Sequence, residues 1–178
     1  MDSAAVELCG RFPLAWCSAP EDDLAFAAVM GDNLIFLKAL LLLDGDGPAK
    51  GDDEQESLPA LHTKVDLLLL MMSRGLRGLE PLSEPVHCCI DAQWLRWQGQ
   101  PAGTPPASAG PVALALFLRP SLAIPLILPG TLLEEPPGTG GDWSGRCAHR
   151  LSGTVQECLD RLIFRHHRRS VARSRENP

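Results

Sequence analysis

The chain has 178 residues, of which 45% are hydrophobic, and a formal net charge of −6. This length suits one ordinary domain with extensions. The acidic balance, with only 5% aromatic residues and no Tyr, argues against nucleic-acid binding through a basic or stacking surface. The charge is uneven, because residues 146–178 contain eight arginines and three acids, a local charge of +5. This asymmetry leaves room for a local anion site.

The six cysteines form no C-x-x-C motif, and the adjacent Cys88 and Cys89 would point to opposite faces of a strand. We therefore predict no metal site and thiols that stay reduced, as in a cytoplasmic protein. No signal segment is recognised in the sequence. The longest apolar run, residues 34–43, is interrupted by Lys38 and is much shorter than the about 20 residues of a membrane-spanning helix. No membrane span is predicted.

The first predicted element is helical and covers residues 22–43, with residues 31–33 as a candidate break into two helices. The stretch that follows, residues 44–57, is rich in glycine and acids and is typical of a flexible linker. We therefore predict that residues 1–57 form an N-terminal helical segment and an acidic linker.

The next segment is predicted to be a helix with a coiled-coil pattern over residues 58–80. Five apolar residues are spaced by 3, 4, 3 and 4, the a/d repeat of a coiled-coil seam: Leu58, Leu61, Val65, Leu68 and Met72. Leu67, Leu69 and Leu70 widen the apolar stripe, so this helix needs burial on more than one side. Two alternatives stay open: the helix packs on its own domain, or it joins a bundle with other subunits.

From Pro85 the pattern changes to short apolar runs that are separated by proline and glycine. Such runs are typical of strands in a small antiparallel barrel or sandwich, which we place in residues 85–151. A C-terminal helix is predicted over residues 154–175, where Thr154 and Glu157 match a capping box. An apolar stripe runs along this helix: Val155, Cys158, Leu159, Leu162 and Ile163.

The end of that helix is strongly basic, with five arginines and two histidines within residues 165–175. One interpretation is that the arginines bind phosphate or guanine through bidentate hydrogen bonds. The other is that they are a solvated helix end, where positive charge favours the helix dipole. An intermediate interpretation is that the arginines pair with the acidic stretch of residues 44–56 or with a partner protein, and the residue pattern does not decide among the three.

Three segments together resemble the atypical, tetrameric-type PilZ domain family of cyclic di-GMP receptors. They are KVDLLLLMMSRGL in the heptad helix, VHCCIDAQWLRW at the first predicted strand, and LDRLIFRHHRRSVARSR at the end. The resemblance covers about residues 61–175, and we assign residues 58–178 to the PilZ domain. It implies an α+β fold: a small six-stranded antiparallel PilZ-like β-barrel with an N-terminal heptad helix and a C-terminal amphipathic helix. It also implies that the heptad helix joins protomers into a bundle.

The resemblance also implies candidate ligand-binding residues. Ordinary PilZ proteins are similar in the barrel and bind cyclic di-GMP through R-x-x-x-R before it and [D/N]-x-S-x-x-G on an early strand. In this sequence the second motif keeps the acid but has Gln93 for Ser and Arg96 for Gly, where bulk opposes close approach of a ligand. The candidates are the R-x-x-R pair before the barrel, that acid, and an R-R-x-x-x-R after the barrel: Arg74, Arg77, Asp91, Arg168, Arg169 and Arg173.

No nucleophile elbow, P-loop or paired histidine and acid indicates catalysis. The predicted function is therefore a bacterial, cytoplasmic cyclic di-GMP signalling protein that binds its ligand or a signalling partner, without catalysis and without a cofactor. The alternative is an oligomeric PilZ-like scaffold that has lost cyclic di-GMP binding and works through protein–protein interaction. A third hypothesis is that the arginine-rich helix binds nucleic acid or an acidic protein.

Overall fold

The computed structural model describes residues 6–44, 54–75, 82–106, 110–133 and 143–176. Within these residues the chain forms a closed barrel of six antiparallel strands and three α-helices, which confirms the predicted α+β fold with a PilZ-like barrel. In chain order the elements are β1 (Leu8–Cys17), α1 (Asp23–Leu43), α2 (Glu54–Gly75), β2 (Pro85–Ile90), β3 (Trp94–Gln98), β4 (Pro111–Leu116), β5 (Leu126–Leu133), β6 (Gly145–His149) and α3 (Gly153–Glu176).

β1 closes the barrel, in which the order of neighbouring strands is β1-β2-β3-β6-β5-β4. It pairs with β2 as far as Pro13 and with β4 from Leu14 onward. Proline has no N–H to donate, so Pro13 fits the point at which the strand changes partner. Because β1 precedes α1, the prediction that residues 85–151 contain the whole barrel is wrong. The prediction that the segment before the linker is purely helical is wrong for the same reason. Gly10 and Pro13 interrupt the apolar pattern that would have indicated a strand.

The barrel interior is filled by leucines and a few larger or softer side chains. The fully buried members include Leu14, Leu95, Leu114, Leu116, Leu126, Leu128 and Cys147. Trp97 on β3 is also buried, and it lies opposite Gly145 on β6. A Cβ atom at Gly145 would overlap the Trp97 indole, so glycine is required there by close packing.

Helix α1 is anchored to the barrel by one buried polar residue. Asn33 exchanges two hydrogen bonds with the backbone of Ile127 on β5, donating from Nδ2 at 2.7 Å and accepting at Oδ1 at 2.9 Å. β6 pairs with β5 only from Gly130 onward, so Asn33 replaces a strand partner for Ile127. The candidate break at residues 31–33 does not occur, because α1 is continuous and Asp22 caps its start by accepting from Ala25 N.

By length and composition, α1 is a helix that could cross a membrane, although its uninterrupted apolar run is short. In the structure it packs against α2, α3 and β5. Strong apolarity is also typical of a helix in the core of a domain, and this packing buries about a third of the apolar part of α1.

Helices α2 and α3 differ slightly from their predicted bounds. α2 begins at Glu54, within the predicted linker, and ends at Gly75, while residues 76–80 of the predicted heptad helix lie outside the described residues. α3 begins at Gly153, so Thr154 lies inside the helix and does not cap it from outside. The predicted apolar stripe of α3 is confirmed, since all five of its residues are buried.

Cys9 and Cys89 form a disulfide between β1 and β2, which contradicts the prediction that all thiols stay reduced. The two residues are 80 positions apart and become neighbours because the strand register pairs them directly. Two of the remaining cysteines face the barrel interior, where burial raises the pKa of the Cys88 thiol to about 12 and that of Cys147 to about 11. These two thiols are therefore protonated and unreactive at neutral pH.

We expect Gly145→Ala to destabilise the barrel, because the new methyl group would displace the Trp97 indole. Overpacking of this kind costs about 1–3 kcal/mol of the free energy of unfolding, measurable by urea denaturation. Gly31→Ala is the matched control, since it lies inside α1 and, apart from the neighbouring backbone of that helix, its added Cβ has open space around it. That variant should gain about 0.5–1 kcal/mol. An unchanged midpoint for Gly145→Ala would contradict the packing argument.

We also expect stability to fall below about pH 6.5 through His149. Its Nε2 donates to the Asp91 carbonyl at 3.1 Å, while its Nδ1 is buried without a partner. Burial lowers the pKa of His149 from its usual 6.5, against the opposing effects of Asp91 and Asp160. The unfolded chain then binds more protons than the folded chain between the two pKa values. The free energy of unfolding therefore decreases as pH falls through this interval.

The measurement is urea unfolding between about pH 7 and pH 5, the range in which histidine titrates. The slope of stability against pH should be shallower for His149→Gln than for the wild type. His62→Gln, at an exposed position on α2, is the control and should keep the wild-type slope. Equal slopes for all three proteins would show that His149 does not contribute.

Candidate functional site

A cleft lined by three arginines and one histidine lies between α3, the end of α1 and the loop that joins β4 to β5. Arg119 comes from that loop, and Arg165, His166 and Arg169 come from α3. We call this cavity, with its four basic side chains, the basic cleft. Its volume is about 290 Å³, and its remaining walls are mostly apolar: Leu8, Phe12, Leu40, Asp44, Leu118, Pro120 and Leu162.

The end of α1 determines where these arginines lie. Arg165 Nη1 donates to the Leu41 carbonyl at 2.6 Å, and Arg169 donates to the carbonyl of Asp44. Arg119 forms an ion pair with the Asp44 carboxylate at 3.2 Å. The last carbonyls of a helix have no partner within it and carry the negative end of its dipole. Because α1 has no basic residue in its own last turn, α3 supplies positive charge from outside.

The arrangement retains capacity to bind an anion. Three guanidinium groups meet one carboxylate, that of Asp44, so the basic cleft has an excess of positive charge. Each guanidinium has five N–H donors in a planar fork, and the contacts with α1 involve one nitrogen of each arginine. Such forks bind phosphate in a bidentate manner and also match the O6 and N7 acceptors of guanine.

Of the two predicted arginines whose side chains the structure describes, Arg169 lines the basic cleft. Arg168 is exposed on α3 outside the cleft lining. Arg74 and Arg173 belong to α2 and α3, but their side chains lie outside the described part of the chain, as does the whole of Arg77. Arg165 was not among the predicted site residues, although its spacing of four from Arg169 puts both on one helix face. No pattern in the neighbouring sequence indicated Arg119, which the fold of the barrel places beside α3.

Asp91 has a structural role at the turn between β2 and β3. Its Oδ1 accepts from the backbone N–H groups of Gln93 at 2.7 Å and Trp94 at 2.8 Å. It lines a second cavity of about 470 Å³, which contains no cationic side chain and shares no residue with the basic cleft: Val6, Asp91, Ala92, Gln93, Trp94, Asp160, Ile163 and Phe164. The structure therefore does not bring Asp91 together with Arg169.

Arg96 occupies the position that is glycine in the usual ligand motif. Its Nη2 forms an ion pair with Glu7 at 2.5 Å, and its guanidinium lies 4.9 Å from the centre of the Trp143 ring. A bulky, partnered side chain therefore stands where that motif requires an open backbone.

The predicted seam residues lie on the exposed face of α2. Leu61, Val65, Leu68 and Met72 retain between 44% and 66% of their accessible surface, whereas Leu67 and Leu70 are buried. Leu58 lies in α2, but its side chain is outside the described residues. α2 also packs against α1. The helix therefore buries one face on its own domain and leaves the a/d row without a cover in the single chain.

Comparison with known proteins agrees with this architecture. The family model described as atypical PilZ domain, cyclic di-GMP receptor, matches residues 37–176. No curated protein matches the chain. A solved structure of a pathogenic protein from Xanthomonas campestris, reported as a new tetrameric PilZ domain self-assembled through an unusual helical bundle, is similar in fold. Its TM-score is 0.58 at 21% identity, over 96% of this chain and 89% of that one.

The family match begins inside α1 and ends at the last described residue of α3. It thus includes α2, five of the six strands and the three α3 residues of the basic cleft, while β1 precedes it. Because the match covers most of the chain, this protein belongs to the atypical PilZ domain family of cyclic di-GMP receptors.

Proposed function

We propose that this protein is a cytoplasmic cyclic di-GMP receptor or effector that passes a signal to a partner by binding, without catalysis. Family membership supports the ligand class. The observation that carries the proposal is the convergence of Arg119, Arg165 and Arg169 on one cleft. Cyclic di-GMP presents two phosphates and two guanines, and arginine is the side chain best suited to bind both groups.

The size of the basic cleft suggests how the ligand would fit. Its volume of about 290 Å³ is close to the lower limit of about 300 Å³ for small-molecule sites, so it would hold one guanine and its neighbouring phosphate. Arg165 and Arg169 would bind the phosphate, with Arg119 at the guanine. The other half of the dinucleotide would lie along α3, towards Arg168 and Arg173. Arg74 and Arg77 stay candidates, whereas Asp91 does not belong to this site.

Ligand binding would act on α1 directly. Arg165 and Arg169 already donate to the carbonyls of Leu41 and Asp44, so a phosphate would compete with the end of α1 for the same donors. The chain continues from that end into α2, which carries the exposed a/d row. Competition at the basic cleft would in this way connect ligand binding to the helix that is available for a partner.

We expect calorimetric titration with cyclic di-GMP to show binding that depends on the basic cleft. Arg169→Ala should weaken binding by about 10–100-fold, because loss of one charge-assisted hydrogen bond costs about 1.5–3 kcal/mol. Arg161→Ala is the matched control, since it removes the same charge from an exposed position on α3 outside the cleft lining. Thermal unfolding of both variants checks that the fold is intact.

The absence of measurable heat with the wild-type protein, at ligand concentrations well above micromolar, would overturn the receptor proposal. Equal losses of affinity in Arg169→Ala and Arg161→Ala would retain the receptor but exclude the basic cleft as its site.

A second function is favoured by the exposed row on α2. We propose that this row mediates self-association, because soluble monomers rarely expose a continuous stripe of large apolar side chains. The residues recur at coiled-coil spacing, which suits a helical bundle. The similar Xanthomonas campestris structure is itself reported as self-assembled through a helical bundle, which supports this proposal. A scaffold that works through protein–protein interaction would need only this surface and no cyclic di-GMP.

We expect Leu68→Asp to convert an oligomer into single chains, because a charge in the seam would be buried without a partner. Light scattering after size-exclusion chromatography would measure the mass. His62→Asp is the control, since it adds the same charge at an exposed position about a quarter turn from the seam. A wild-type protein that is monomeric at tens of micromolar would contradict the seam, as would an unchanged mass for Leu68→Asp.

A further inference from the structure

Four side chains with metal-binding atoms lie together at the start of β1 and on β2, and none of them lines the basic cleft. Glu7 directly precedes β1 and is two residues from Cys9, and His87 and Cys89 are two residues apart on β2, so the two residues of each pair lie on the same side of the chain where it is extended. Cys9 and Cys89 are direct partners in the strand register. The ligand atoms of Glu7, Cys9 and Cys89 lie within 4.8 Å of one another, and Cys89 Sγ is 3.9 Å from His87 Nε2.

We propose that, when the Cys9–Cys89 disulfide is reduced, Cys9, Cys89, His87 and Glu7 bind one zinc ion. Two thiolates, one imidazole and one carboxylate are all ligands that zinc accepts in tetrahedral sites. This site is independent of the cyclic di-GMP proposal. It also departs from the sequence-based expectation of no metal, because its ligands come from two strands that are distant in the chain and form no C-x-x-C motif.

The spacing of the ligand atoms suits zinc. With Zn–S near 2.3 Å and Zn–N near 2.0 Å, tetrahedral geometry puts a sulfur and a nitrogen ligand about 3.5 Å apart. The distance of 3.9 Å from Cys89 Sγ to His87 Nε2 is close to this value. Two sulfur ligands would be about 3.8 Å apart in the same geometry. The Cα atoms of Cys9 and Cys89 are only 4.1 Å apart, so small side-chain rotations would bring both thiolates to the ion.

The surroundings stabilise such a site in two ways. Two thiolates and one carboxylate would carry one negative charge more than the ion neutralises, and Arg96, paired with Glu7 at 2.5 Å, supplies the balancing positive charge. Trp143 stacks on the His87 ring with a centroid distance of 5.6 Å and so holds the imidazole orientation. Cys89 is buried, whereas Glu7, Cys9 and His87 are partly exposed, which leaves a path for the ion.

The disulfide and the zinc site exclude each other because they use the same sulfur atoms. A dithiol reductant would break the Sγ–Sγ bond by supplying two electrons and two protons, and would itself become a disulfide. Zinc binding would then release one proton from each thiol. The cluster would therefore bind zinc only under reducing conditions, and bound zinc would protect the two thiols from oxidation.

The test uses the full chain without an affinity tag, in reduced and oxidised forms. Zinc binding is measured by competition with a chromogenic chelator, and Co²⁺ is added separately to detect thiolate-to-cobalt charge-transfer absorption. We expect one metal ion per reduced chain and none in the oxidised protein. Reduced protein that binds no zinc in competition with the chelator, or oxidised protein that binds it equally well, would overturn the proposal without recourse to any variant.

Variants then identify the ligands. Cys9→Ser, Cys89→Ser and His87→Gln should each weaken zinc binding by more than about 100-fold, because each removes a direct ligand and the loss of a residue that only supports a ligand already costs about 10–100-fold. Cys17→Ser is the matched control, because Cys17 lies at the opposite end of β1 from Cys9. Circular dichroism confirms folding of each variant. Wild-type affinity in Cys9→Ser and Cys89→Ser would exclude the site, as would an equal loss in Cys17→Ser.

Discussion

The structure depends on the pairing of one strand with two neighbours. β1 hydrogen-bonds to β2 through its first part and to β4 through its last, and this change of partner at Pro13 closes the barrel. Closure removes the exposed edges that an open sheet of these apolar strands would present. It also determines where α1 starts, because α1 follows β1 after a short connection. The position of α1 in turn decides the location of the basic cleft.

The end of α1 is the point at which the parts of the molecule meet. Its carbonyls attract Arg165 and Arg169 from α3, and Asp44 attracts Arg119 from the barrel. The two interpretations of the arginine-rich helix are therefore not exclusive. The arginines do stabilise a helix end, but it is the end of α1 and not of their own helix. This same arrangement concentrates positive charge around a cleft, which a solvated helix end would not do.

Two surfaces of the protein have separate physical requirements. The basic cleft needs an anion or a carbonyl to satisfy its donors, and the exposed row on α2 needs an apolar cover. The cluster of Cys9, Cys89, His87 and Glu7 shares no residue with either surface and is formed by β2, the start of β1 and the residue before it. Its state depends on the surrounding redox conditions and metal supply. The redox and metal state of this cluster is therefore separate from ligand binding at the basic cleft, whereas the cleft and the exposed row are connected through the end of α1.

Local patterns in the sequence were sufficient to predict the family, a helix in the region of α2 and the apolar stripe of α3, because each depends on residues that are close together along the chain. They also predicted a six-stranded barrel through the resemblance. They missed β1, whose Gly10 and Pro13 break the strand pattern and whose stability comes from β2 and β4. They also missed Arg119 as a neighbour of Arg165, and Cys9 as the partner of Cys89. Only tertiary structure decided these, because strand register and helix packing bring together residues that no local spacing connects.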